Sequence, residues 1–233
     1  EAVLNQWAEG HRKTLLVLPT GTGKTVVFSS VIDSNLRNKG GRALILAHRG
    51  ELLSQAADKI SKVCGLGCAL EKAGSRAIDS LYPVTLGSVQ TLSNTKRLEN
   101  YPRDYFSTVV VDEAHHSMSD SYQKILKYFD KADVLGVTAT PDRADKRNLG
   151  QFYDSLAYEY TMNKAVEEGY LCPIKAQMIP LKLDIDKVKI SNGDFALDDL
   201  GFALDKYLPL IAQEMFTYCK GRKTLVFLPL ISR

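Results

Sequence analysis

The chain has 233 residues, 45% of them hydrophobic and 24% charged, with a formal net charge of +3. That length accommodates one complete α/β domain and a remainder, and no apolar run is long enough to cross a bilayer, which sets a membrane role aside. The small positive excess neither requires nor excludes a polyanionic partner, because binding phosphates depends on local basic surface and not on the total charge.

Thr14–Leu18 is the first flat apolar run, the pattern of a strand buried on both faces. It leads into Pro19, Thr20, Gly21, Thr22, Gly23, Lys24 and Thr25, and an apolar helix begins near Val26. Strand, glycine-rich turn and helix in that order are what a phosphate-binding loop requires: the glycines turn backbone N–H groups inward and the helix N-terminus adds positive potential. Lys24 would then reach the β and γ phosphates, and the Thr25 hydroxyl would ligate Mg²⁺. The strict eight-residue pattern opens on glycine, where this chain has Leu18.

Arg42–Ala47 is a second run, followed by Leu52, Ala56, Ile60 and Val63 at helical spacing. Cys64 and Cys68 flank glycines at a spacing suited to half a zinc site, but no second pair follows. With Cys172 and Cys219 they read as free thiols of a reducing compartment. Thr85–Ser88 is the third run and Thr108–Val111 the fourth, the latter ending in Asp112, Glu113, Ala114 and His115. Two adjacent acids at a strand end point in opposite directions. One can therefore hold Mg²⁺ through water, as expected of Asp112, while Glu113 orients and deprotonates an attacking water.

Tyr122, Ile125, Leu126 and Phe129 give another helix, and Val134–Thr138 a fifth strand. This alternation predicts a mostly parallel sheet sandwiched by helices, with ligands beyond the carboxyl ends of the strands. Past Leu149, Ser155–Thr161 reads as a strand, Asn163–Glu168 as a short helix closed by Gly169, and Cys172-Pro173 as a break before Ile174–Ile185. Asp184–Asp205, aspartate-rich with an Asn192-Gly193 turn signal, is a hairpin or a connector. Leu208–Tyr218 looks helical, and Arg222–Leu228 looks like the first strand of a second sheet.

With the phosphate loop and the acid pair in this order, the chain resembles the first RecA-like domain of a superfamily 2 helicase with a DEAH-type box. Ala47, His48 and Arg49 with Glu51, Leu52 and Gln55 are similar to motif Ia, and Thr85–Thr91 to the next strand-and-turn element. Thr138, Ala139 and Thr140 with Pro141 and Arg143 resemble motif III, and Lys223–Phe227 resembles motif IV at the start of the second RecA-like domain. In flavour the motifs are nearest to DNA repair helicases and to the motor subunits of type I and type III restriction systems.

The resemblance implies ATP and Mg²⁺ as cofactors, Pro19–Thr25 as the nucleotide loop, and Thr25 and Asp112 as the metal's ligands. It also implies Glu113, Lys24 and Asp112 as catalytic residues, and Arg49, Gly87, Ser88, Gln90 and Thr91 as contacts to nucleic acid. His115, Thr138 and Thr140 would couple the two sites, with a surface position for His116. The family glutamine that reads adenine is either Gln6 or missing.

Residues 1–162 are expected as the ATP-binding domain, 163–221 as a connector, and 222–233 as the first strand of a truncated second domain. A transition-state arginine from that second domain is worth about 10³ to 10⁵ in rate, so the fragment by itself is expected to turn over ATP weakly or not at all. The function expected is that of an ATP-dependent DNA helicase or translocase, cytoplasmic or at the nucleoid. An RNA helicase, or an ATP-binding switch without motor activity, is the alternative.

Overall fold

The computed structural model describes residues 1–47, 50–139, 149–176, 178, 189–191, 194–195 and 197–227. They fall into two compact units, Glu1–Pro173 and Ile174–Arg233. The first is built on seven strands: β1 (Lys13–Val17), β2 (Ala43–Ala47), β3 (Cys68–Glu71), β4 (Val84–Ser88), β5 (Thr108–Asp112), β6 (Asp133–Thr138) and β7 (Ser155–Glu159). Their order across the sheet is β3-β4-β2-β5-β6-β1-β7, and every pairing is parallel.

The flat apolarity of the strands follows from burial on both faces. Leu15, Val17, Leu44, Leu46, Val109 and Val111 face one core, with Tyr122, Ile125 and Leu126 of α6 (Asp120–Tyr128). The alternate residues Leu16, Ile45, Val110, Leu135 and Val137 face the other. There they meet Val3 and Trp7 of α1 (Ala2–Ala8), Phe28, Val31 and Ile32 of α2 (Lys24–Lys39), and Ile60 of α3 (Gly50–Cys64). Short helices α4 (Val89–Leu92) and α5 (Thr95–Leu98) follow β4, and α7 covers residues 149–152.

Several expectations are corrected. Cys68, read from its spacing as suited to half a zinc site, begins an edge strand, β3, and burial pushes its thiol up to about 11. The strand expected to run to Thr161 ends at Glu159, because Thr161 turns to cap α8 (Met162–Glu167), its side chain accepting from the Lys164 N–H. The first compact unit runs to Pro173; within it Ala165 is buried and its carbonyl accepts from the Leu171 N–H.

In the second unit the hairpin alternative is the one found, with β8 (Ile190–Ser191) antiparallel to β9 (Asp194–Phe195); Asn192 and Gly193 lie outside the described residues. Helices α9 (Leu197–Asp205) and α10 (Leu208–Cys219) follow. Residues 223–227, expected as a strand, form no regular structure, and residue 228 lies outside the description. Among the described residues β8 and β9 pair only with each other, so the segment has no neighbour to complete a ladder.

A buried ionic cluster pins the turn after β3. Glu71, 2% exposed, accepts from the Tyr101 hydroxyl at 2.6 Å and the Ala77 N–H at 2.7 Å, and pairs with Arg97 at 2.8 Å. The same guanidinium donates to the carbonyls of Lys72 and Ser75. Removing one partner leaves a buried charge without compensation. Glu71→Ala is therefore expected to lower the unfolding free energy by about 3–5 kcal/mol, read from the urea midpoint.

Candidate nucleotide-binding site

β6 lies between β1 and β5, so the carboxyl ends of these three parallel strands share one edge of the sheet. The register brings Val17 opposite Thr138 and Asp112 opposite Val137. Beyond the last pair, the Leu18 N–H still donates to the Thr138 carbonyl at 2.9 Å, which fixes where the glycine-rich loop departs.

The loop closes on itself through Thr22, whose hydroxyl donates to the Pro19 carbonyl at 2.7 Å. Gly21 and Gly23 take φ of 90° and 88°, the left-handed region in which a side chain is strained. Gly23 is also the N-cap of α2, and no side chain caps that helix. Its first-turn amides, with the positive end of the helix dipole, form a cradle for an anion. Thr25, in that first turn, is half-buried at the loop.

Lys24 reaches across β6 to Glu113, with Nζ 3.5 Å from Oε1. Glu113 is the sole non-glycine with positive φ among the described residues (56°), and it opens the 3₁₀ turn Ala114–Met118. Its Oε2 is 3.5 Å from His115 Nδ1, and that nitrogen is 3.4 Å from Thr138 Oγ1. The acids, the lysine, the histidine and the end of β6 are thus joined in one chain of polar contacts. His116 is exposed, its ring 4.1 Å from that of His115.

Asp112 is half-buried and accepts from the Glu113 N–H at 3.1 Å. Burial first, and then the charge of Glu113, raises its pKa above the usual carboxylate range, against the opposing pull of Lys24. The donor set fits a small hard cation: a hydroxyl from Thr25 and a carboxylate from Asp112, whose electrostatic strain a divalent ion relieves.

Among the residues expected on nucleic acid, Ser88, Gln90 and Thr91 gather at the end of β4 and on α4, with the Ser88 hydroxyl donating to Gln90 Oε1 at 2.7 Å. Gly87 faces inward: a Cβ there would lie 2.5 Å from Leu92 Cδ1 and 3.0 Å from Leu44 Cδ1, so its glycine is required by core packing. Arg49 and Thr140 lie outside the described residues. Gln6 sits on α1 with its amide donating to Glu9 at 3.1 Å.

Two further residues neighbour the site without any local sequence signal. Leu171 lies against the loop, its Cδ2 at 3.2 Å from where a Cβ on Gly21 would be. Tyr122, expected only as core, carries a buried hydroxyl without a hydrogen-bond partner. Burial and the charges of Asp112 and Glu113 push that hydroxyl up to about 12.

Comparison with known proteins bears on what this arrangement is. The family described as "Type III restriction enzyme, res subunit" matches residues 1–143. The chain belongs to that family. It is 31% identical over 97% of its length to a Saccharomyces cerevisiae protein provisionally named ATP-dependent helicase IRC3, and covers 34% of that protein. It is 28% identical, again over 97%, to the type I restriction enzyme EcoAI endonuclease subunit of Escherichia coli, covering 30% of it. The chain therefore spans about a third of these relatives. The Hef helicase domain of Pyrococcus furiosus superposes with a TM-score of 0.59 at 24% identity, over 74% of this chain and 40% of that one. The first unit is thus the first RecA-like domain of a superfamily 2 helicase, a family that uses ATP. Among the described residues no helix is long and apolar enough to cross a membrane.

The raised pKa of Asp112 carries a stability consequence. A carboxyl whose pKa is higher folded than unfolded leaves stability intact below the ordinary value of 3.8 and lowers it as pH rises through the folded pKa. Asp112→Asn is expected to raise the Tm of the nucleotide-free protein near pH ~7, and the gain should disappear as pH falls below about 4. Thermal unfolding across that range, without Mg²⁺, tests the sign.

Proposed function

We propose that the chain is the nucleotide-binding lobe of a motor that hydrolyses Mg-ATP and uses the energy to move on DNA. The observation that carries this reading is the approach of Lys24 to Glu113 across β6, with His115 linking Glu113 to Thr138. The Lys24 ammonium rests 3.5 Å from the Glu113 carboxylate. A γ-phosphate seated on the loop would draw Lys24 onto its oxygens and leave Glu113 to receive the proton of the attacking water. Bound Mg²⁺ would neutralise charge on the phosphates, and Thr25 and Asp112 are the residues that would hold it.

The polar chain from Glu113 through His115 to Thr138 gives the acid a route to the strand end whose following loop matches motif III. That is the arrangement expected where hydrolysis answers to a track. Gln90 and Thr91, exposed and half-buried on α4 at the same edge of the sheet, can contact phosphates through backbone, amide and hydroxyl groups without reading bases, while Ser88 is buried with its hydroxyl on Gln90. DNA is favoured as the track because the relatives include a restriction endonuclease subunit.

The deciding assay is ATP hydrolysis by the full-length protein alone, with single- or double-stranded DNA, and with RNA. Stimulation by DNA supports the reading, stimulation by RNA alone makes the protein an RNA motor, and a rate indifferent to both identifies a nucleotide-controlled switch. Two substitutions separate the roles. Lys24→Ala should weaken ATP binding by about 10- to 100-fold, whereas Glu113→Gln should bind ATP normally and lose about 10²- to 10⁴-fold in kcat. Equal loss of binding in both would refute this division of labour.

A further inference from the structure

Glu113 owes its position to the 3₁₀ turn that follows it, and the far end of that turn is held from a distant part of the chain. Ser117, fully buried, has its hydroxyl 2.7 Å from the hydroxyl of Tyr153, itself 5% exposed. The two residues stand 36 positions apart. The Ser117 carbonyl accepts from the Gln123 amide at 2.8 Å, so the turn is tied on its helix side as well.

Tyr153 is fixed at its own root. Its N–H donates to the Leu149 carbonyl at 2.8 Å, and the next residue, Asp154, makes a double clasp with the first residue of β1. The Asp154 N–H donates to the Lys13 carbonyl at 2.7 Å, and the Lys13 N–H donates to Asp154 Oδ2 at 3.0 Å. From this anchor the ring crosses β6 at Gly136, where a Cβ would come within 2.3 Å of the ring's Cζ and hydroxyl oxygen. Gly136 is paired with Leu15 on one side and Val111 on the other. The tyrosine therefore spans the strands that emit the phosphate loop and the acid pair, in a lane that only a glycine leaves open.

Two hydroxyls meeting in an otherwise apolar core are an unusual way to gain stability, since apolar groups of the same shape fill such a space nearly as well. What a buried hydrogen-bonded pair supplies is a defined geometry. Here the geometry defined is that of the turn whose first residue is Glu113, held in the left-handed region at φ 56° and ψ 59°.

We propose that Tyr153 is a positioning residue for hydrolysis: by holding Ser117 it fixes the turn that aims the Glu113 carboxylate at the attacking water. The proposal rests on the reading of Glu113 as the group that receives that water's proton. Tyr153 lies outside the set of residues proposed to hold nucleotide and metal, its contacts being with Ser117, Leu149 and the Gly136 lane, so its loss should act on the rate of the chemical step and leave nucleotide binding alone.

The test uses the full-length protein and the paired substitution Tyr153→Phe with Ser117→Ala, which removes both hydroxyls and leaves no buried polar group without a partner. Nucleic-acid-stimulated kcat and KM for ATP are measured with the Tm. A displacement of about 1 Å at a reacting group can lower a rate about 100-fold, so kcat is expected to fall by about 10- to 100-fold at unchanged KM. Ser117→Thr, which keeps the hydroxyl, should retain most of the activity. Wild-type kcat in the paired variant overturns the proposal, whatever the Tm does, and so does a rise in KM that accounts for the loss. Absence of hydrolysis in the unsubstituted protein would instead strike at the function proposed above, which keeps the two failures distinct.

Discussion

Everything at the candidate site depends on β6 standing between β1 and β5. In a parallel sheet all strands deliver their carboxyl ends to one edge, and the spacing between neighbouring strands is about 4.8 Å. Two strands of separation, about 10 Å, is a span that the stem of a lysine and the stem of a glutamate can bridge from either side. Lys24 and Glu113 do so, meeting at 3.5 Å. Were β1 and β5 adjacent, the loop and the acids would crowd one another. One strand further apart, and the two groups could not act on the same phosphate.

The same constraint sets the character of β6. It is buried along its whole length, contributes Thr138 to the polar chain at its end, and carries a glycine where Tyr153 crosses. Around it the site brings like charges together: Asp112 and Glu113 are neighbours, half-buried, with Lys24 as the nearest cation. Such an assembly opposes folding at neutral pH and is relieved by a bound cation. Compact burial elsewhere, in the two apolar layers on either side of the sheet, offsets it.

Much of this was legible in the sequence because the signals were local. Flat apolar runs marked five central strands, and the glycine-rich loop and acid pair follow β1 and β5 directly, so their placement on one edge of the sheet could be read from position alone. What was not legible depended on distance or on edges. β3 and α1 are short, and the half-buried residues of β3 carry no strong period. Gly87 resembled a ligand-contacting turn residue, yet its glycine answers to Leu44 and Leu92. The strand read into residues 223–227 has the right composition, but composition cannot supply a partner ladder. The meeting of Ser117 with Tyr153 leaves no trace in either local segment, since each residue there looks like ordinary core.

The uncapped start of α2 has a consequence for how the protein responds to what it binds. A helix usually closes its N-terminus with a side chain of its own, and here Gly23 supplies none. On the function proposed above, an anion on the loop would finish that first turn, so part of the domain's cohesion would reside in a molecule that comes and goes. Saturation at about 100 times the dissociation constant adds about 2.7 kcal/mol to the folded state. In the turnover proposed above, that increment would be gained and surrendered at β1 and α2, the elements that flank the loop, each time the anion arrives and leaves.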